Sequence, residues 1–219
     1  MPTSEFEHVA QNWDHLAKTE PYYAVLTDEA NRQGPSEYFW QSGDVVASLI
    51  QREVALAGLS LSELHACELG SGVGRVAQAM YRLCKSVTGF DVSQTMVEVA
   101  SKNFPYIPFK HFDGRLEPLS CDLVYSVIVL QHNPPEVIGR MLRTMFSAAR
   151  HAVWFQLPLP TGEQDTMPAI PAIPMYGVPE HAVLEIGRQS GFDFVAIIND
   201  HFAVPGMDSR RYVFTRKNI

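Results

Sequence analysis

The chain has 219 residues, 46% hydrophobic and 19% charged, the composition of a folded globular protein, which excludes a disordered or fibrous one. With 24 acidic side chains against 17 basic ones the net charge is −7, and the scattered Lys and Arg give no basic footprint for nucleic acid. Cys67, Cys84 and Cys121 are too few and too dispersed for a disulfide framework or a paired-cysteine metal site and read as reduced core residues. No stretch approaches the roughly 18 apolar residues that would cross a membrane, and the N-terminus shows no signal-like apolar segment, so a cytoplasmic protein without membrane contact is expected.

From residue 5 to about 58 the pattern is helical. Phe6, Val9, Ala10, Trp13 and Leu16 can share one face of a first helix, and a second, from Ser36 to Ala57, follows the Gly34-Pro35 break with Ser36 as its N-cap. Residues 1–60 therefore read as a helical cap preceding a core at 61–219. After Gly58, short apolar runs alternate with helical stretches: HACEL, GRVAQAMYRLC, SVTGFD, SQTMVEVASKN, a strand near 107–113, CDLVYSVIVL, a helix from about Pro135 to Arg150, and HAVWFQL. Such alternation implies βαβ units and a parallel sheet covered on both faces, hence a doubly wound α/β fold. Six prolines between Pro158 and Pro179 exclude a helix or inner strand there. A helix from Pro179 to Gln189, then FDFVAIINDHF and RRYVFTRK around a Pro205-Gly206 turn, closes the chain as an antiparallel hairpin at the sheet edge.

The strongest chemical signal is CELGSGVGR. Gly70, Gly72 and Gly74 follow an apolar strand and open a helix, where glycine lets a tight turn bring backbone N–H groups to a ligand. Glu68 ends the first strand. Asp91 ends the second, about 20 residues after the glycines, and is placed to accept both hydroxyls of a ribose. The spacing is GxGxG rather than the GxGxxG of a pyrophosphate-binding dinucleotide loop. A carboxylate at Glu68 would repel a pyrophosphate but suits a ligand carrying an ammonium and a sulfonium.

With these motifs the chain resembles the class I S-adenosylmethionine-dependent methyltransferases, in particular small bacterial enzymes with a helical N-terminal cap, from about Leu61 to the C-terminus. The resemblance implies a Rossmann-like, mostly parallel seven-stranded sheet with an antiparallel last strand. It implies that Glu68, Gly70, Ser71, Gly72 and Gly74 line the methionine part of S-adenosyl-L-methionine and that Asp91 holds the ribose. It further implies that Val92 and Met96 pack on the adenine, that Asp113-Gly114 meets its amino group, and that Ser126 and Gln131 approach the methionine moiety. The product would be S-adenosyl-L-homocysteine. The Asn/Asp-Pro-Pro-Tyr motif of base and glutamine N-methyltransferases is absent, because Asn133-Pro134-Pro135-Glu136 lacks the aromatic, and no metal-ligand cluster is evident.

His132, directly after the fourth strand, is the candidate general base. Trp13, Tyr22, Tyr23 and Phe39, with Tyr176 in the proline-rich segment near Met167 and Met175, could form an apolar acceptor pocket, the cap and that segment closing over it as a lid. The expected activity is methyl transfer to an oxygen or nitrogen of a small, partly apolar metabolite by a monomer or homodimer. The alternatives are a nicotinamide-dependent oxidoreductase and a non-catalytic S-adenosylmethionine-binding module.

Overall fold

The helical period of the N-terminal segment is realised as three helices in the computed structural model, which describes residues 4–160, 174–200 and 208–217. Helix α1 (Ser4–Thr19) gives way to α2 (Pro21–Val25), whose first residue is a proline lacking only an N–H that no helix start could bond internally. Helix α3 (Glu37–Val54) starts where expected, the Ser36 hydroxyl accepting the Phe39 N–H at 3.2 Å.

Two compact units follow. The first comprises Met1–Arg52 and Ser60–Arg115. Besides the three helices it holds β1 (His65–Leu69), α4 (Ala77–Tyr81), β2 (Ser86–Asp91), α5 (Gln94–Asn103) and β3 (Phe109–His111), with β2 parallel to both β1 and β3. Its apolar centre joins the cap to the glycine loop and α5. Ala17, Ala24 and Phe39 pack with Val73 and Met96, ringed by Trp13, Leu16, Tyr22, Val25 and Trp40.

The second unit comprises Glu53–Leu59 and Leu116–Ile219. It holds β4 (Cys121–Ser126), α6 (Pro135–Ala148), β5 (Ala149–Pro158), α7 (Glu180–Gln189), β6 (Phe192–Asp200) and β7 (Ser209–Arg216). Strands β4 and β5 run parallel, whereas β7 is antiparallel to both β5 and β6. Its core is aromatic: Phe155 stacks on Tyr212 and Phe214 at 5.1 and 6.0 Å, and Phe146 meets Phe214 edge-on at 5.1 Å. The seven strands have the order β3-β2-β1-β4-β5-β7-β6, the mostly parallel, doubly wound arrangement that the alternating pattern implies.

The structure departs from the pattern in three places. The helix after the glycine loop is reduced to Ala77–Tyr81, because the residues before it form turns. Strand β4 stops at Ser126 although the apolar run continues to Leu130, since Ile128 takes a left-handed φ of 56° that no strand accommodates. Cys67 and Cys121 are each in a disulfide and Cys84 is free, so the expectation of reduced thiols holds for Cys84 alone. Met167, Pro168, Pro171, His201 and the Pro205-Gly206 turn lie outside the described residues. Among the described residues, no helix is long and apolar enough to cross a membrane.

Candidate functional site

The glycine loop is shaped by its own strand partners. Gly70, Gly72 and Gly74 have φ of 81°, 51° and 89°, a region that side chains with a Cβ avoid. The N–H groups of Gly70 and Ser71 both bond the Phe90 carbonyl, at 2.7 and 3.0 Å, and that of Gly72 donates to Asp91 Oδ2 at 2.7 Å. These three donors thus face β2, which corrects the expectation that they would point to a ligand. A Cβ on Gly72 would lie 2.7 Å from Val25 Cγ2, and one on Gly74 would lie 2.9 Å from the Phe104 ring. Glycine is required here by close packing of the chain on itself.

Asp91 is 8% exposed and holds the loop to the start of α5. While Oδ2 takes Gly72, Oδ1 accepts the Ser93 N–H at 2.9 Å. Burial raises its pKa, opposed by the backbone N–H groups of Ser93, Gly72 and Val92. A carboxylate offers about four acceptor sites, so these donors do not exhaust it. The connection extends into the cap. The Ser93 hydroxyl donates to Asp14 Oδ1 at 2.8 Å, and the Thr95 N–H donates to the same oxygen at 3.1 Å. An unbroken line of hydrogen bonds therefore joins α1 to the glycine loop through Ser93 and Asp91.

Glu68 is 2% exposed at the end of β1. Burial pulls the Arg75 guanidinium below its ordinary pKa, and the Glu68 carboxylate opposes that fall, so Glu68 compensates a buried cation of its own chain. Arg75 Nη1 also donates to Ser42 Oγ at 3.0 Å, tying the loop to α3. Neither Arg75 nor Asp14 stood out in the sequence, although Arg75 adjoins the motif.

The remaining candidates of the first unit separate. Val92 presents its carbonyl to His111 Nε2 at 3.0 Å and, with Asp14, Lys18 and His111, lines a shallow groove of about 350 Å³. Met96, 2% exposed, and Phe39, 0% exposed, belong to the apolar cluster rather than to that groove. Asp113 is exposed and accepts the Arg115 N–H at 3.2 Å in a bend where Gly114 has a φ of 93°. Tyr22 meets Phe39 edge-on at 5.5 Å and donates its hydroxyl to Asn103 Oδ1 at 3.3 Å, while the Arg32 guanidinium covers the Tyr23 ring at 3.8 Å. Trp13 borders the same cluster.

In the second unit Ser126 ends β4, 1% exposed, and a single-turn helix at Leu130–His132 carries Gln131 and His132. The Asn133 side chain fixes that turn by donating to the carbonyls of Val129 and Leu130 at 3.1 and 3.3 Å. The Tyr176 N–H donates to the Gln131 carbonyl at 2.7 Å, bringing together two candidates 45 residues apart. Gln131 Oε1 is buried with no hydrogen-bond partner among the described residues. His132 keeps some residue-level exposure, yet its imidazole is packed deeply enough that burial lowers its pKa to about 4. It is neutral at neutral pH, able to accept a proton but weakly basic.

Residues 66–152 match the family model described as a methyltransferase domain. No curated protein matches the chain by sequence. Among solved structures, magnesium protoporphyrin IX methyltransferase from Synechocystis PCC 6803 with bound S-adenosylmethionine aligns with a TM-score of 0.68 at 18% identity, covering 98% of this chain and 100% of the other. The 1,6-didemethyltoxoflavin-N1-methyltransferase of Burkholderia thailandensis, bound to 1,6-didemethyltoxoflavin and S-adenosylhomocysteine, gives 0.67 at 17% identity over 99% and 92%. The [4+2]-cyclase SpnF gives 0.69 at 15% over 98% and 96%. At such identities these likenesses establish the fold. The match to a methyltransferase domain therefore spans residues 66–152, and the fold is one that S-adenosylmethionine-dependent methyltransferases share.

Proposed function

We propose that this methyltransferase acts on an oxygen or nitrogen of a small, partly apolar metabolite. The observation that carries the reading is Gln131, whose side-chain oxygen is buried and without a partner among the described residues while its backbone carbonyl holds Tyr176 and its neighbour is the neutral imidazole of His132. A buried acceptor without a partner is costly unless a ligand N–H or O–H completes it. The aromatic ring of Tyr176 suits an apolar body beside such a polar contact.

Bound S-adenosylmethionine supplies an electrophilic methyl group with a neutral thioether as its leaving group. The chain has to bind, orient and exclude water. In this reading the free acceptor sites of Asp91 take the ribose hydroxyls, Glu68 supplies negative charge near the methionine ammonium, and Ser126 and Gln131 orient the reacting end. Val92 and Asp113-Gly114 flank the adenine side. Trp13, Tyr22, Tyr23 and Tyr176 bound the acceptor, and His132 accepts the proton released as the new bond forms. A base with a pKa near 4 contributes little driving force at neutral pH, so alignment dominates the rate.

The fold also serves a [4+2]-cyclase, so transfer itself has to be measured. Calorimetry with S-adenosylhomocysteine and mass spectrometry of a panel of phenols, amines and carboxylic acids test the reading. Methylated product from a phenol or amine is expected. Tight cofactor binding with no product across the panel would leave a cofactor-binding module instead, and methylation confined to macromolecules would overturn the small acceptor.

A further inference from the structure

The turn after β4 contains a strained residue. Ile128 has a φ of 56°, and for a β-branched side chain this left-handed region is a steric outlier that the surroundings must hold in place. The holding group is Gln156, 4% exposed on β5, whose Oε1 accepts the Ile128 N–H at 3.1 Å. Its amide donates in turn to Ser209 Oγ at 2.6 Å. Ser209 Oγ donates to Asp200 Oδ2 at 3.3 Å, and Asp200 Oδ1 receives Arg211 Nη1 at 2.7 Å. The other edge of the Arg211 guanidinium bonds Glu53 at 3.0 and 3.2 Å, and Glu53 Oε2 accepts the Trp154 indole N–H at 2.9 Å. Ile128 is half-buried, and every other member is buried.

An amide fixed in this way has one orientation. Its nitrogen is committed to the hydroxyl, so its oxygen must face the Ile128 N–H. We propose that Gln156 is a positioning residue for the methyl-transfer site: anchored through Ser209 to the Asp200–Arg211–Glu53 ion cluster, it holds Ile128 in the strained turn that presents Gln131 and His132. The inference rests on the proposed roles of Ser126 and Gln131 in cofactor binding and adds a residue that touches neither cofactor nor acceptor.

The test is a double-mutant cycle on the whole chain, read as S-adenosylhomocysteine affinity by calorimetry beside thermal stability. Gln156→Met removes both amide bonds, and affinity is expected to fall about tenfold. Ile128→Gly lets the backbone adopt a positive φ without steric cost, so the turn no longer needs holding. In that background Gln156→Met should cost less than threefold in affinity while still lowering the melting temperature. Ser209→Ala, which frees the amide to rotate, should weaken binding less than Gln156→Met and more than wild type. Equal affinity losses from Gln156→Met in both backgrounds, or no loss in either, would overturn the positioning role. Absence of binding by the wild type would overturn the cofactor reading itself, and the inference with it.

Discussion

Replacing Asp14 with alanine should release the N-terminal helix from the end of β2 while leaving both cores intact. Three interactions are lost. The Lys18 pair at 2.8 Å is a surface contact with Lys18 64% exposed, contributing about 0.3 to 0.5 kcal/mol. The bonds from Ser93 Oγ and Thr95 N–H to a carboxylate would each contribute about 1.5 to 3 kcal/mol if fully buried. Asp14 is 25% exposed, and water can replace part of what is removed, so about 2 to 3 kcal/mol is expected in total. That corresponds to roughly 30- to 150-fold faster exchange of α1 amides, because Trp13, Leu16 and Ala17 still pack on the cluster.

The sign of the pH dependence is fixed. Lys18 first, then the Thr95 N–H and the Ser93 hydroxyl, hold the Asp14 carboxyl well below the usual carboxylate range. Its contribution is therefore complete above the ordinary value of 3.8 and is lost as the pH falls through the depressed folded value. The gap between wild type and Asp14→Ala should stay constant from about pH 5 to 8 and close only in stronger acid. Hydrogen exchange followed by mass spectrometry, with urea unfolding across pH, makes the measurement. Unchanged α1 exchange in the variant, or a gap that widens on acidification, would refute the reasoning.

Three further outcomes are expected. Gly72→Ala should cost about 1 to 3 kcal/mol in urea unfolding from its positive φ and the contact with Val25, and the double variant with Val25→Ala should recover the contact part but not the backbone part. For His132, whose folded pKa lies about 4 against an ordinary 6.5, stability should decline as the pH falls from 6.5 and level off below 4, by about 2 to 3 kcal/mol; His132→Gln should lack this decline on an unfolding-versus-pH curve. Arg211→Met leaves Glu53 and Asp200 buried without their shared cation and should destabilise by about 3 to 5 kcal/mol in thermal unfolding, whereas adding Glu53→Gln and Asp200→Asn should restore part of it.

The parallel α/β arrangement was readable because buried strands and their covering helices leave periodicities in the residues themselves, and Ser36, Gly70 and Asp91 mark ends that local chemistry dictates. What escaped the reading depends on partners distant along the chain. Asp14 looks like any polar helix residue until Ser93 and Thr95 are placed against it. Gln156 lies in an apolar strand, and nothing in its neighbourhood announces Ser209 or Ile128. The glycines show the same limit from the other side. Their spacing was legible as a ligand loop, yet three of the loop's N–H groups face β2 and a Cβ at Gly72 would meet Val25 of the cap, so the motif records how closely the chain packs on itself before it records a ligand. Asp91 belongs to that packing: its carboxylate accepts the N–H groups of Gly72 and Ser93 and so closes the loop, and the proposed ribose contact would draw on the acceptor capacity that is left. A substitution at Asp91 therefore cannot separate folding of the loop from the proposed recognition of a ribose, whereas a substitution at Asp14, one hydrogen-bonded link further out, perturbs the geometry of that acid without removing its charge.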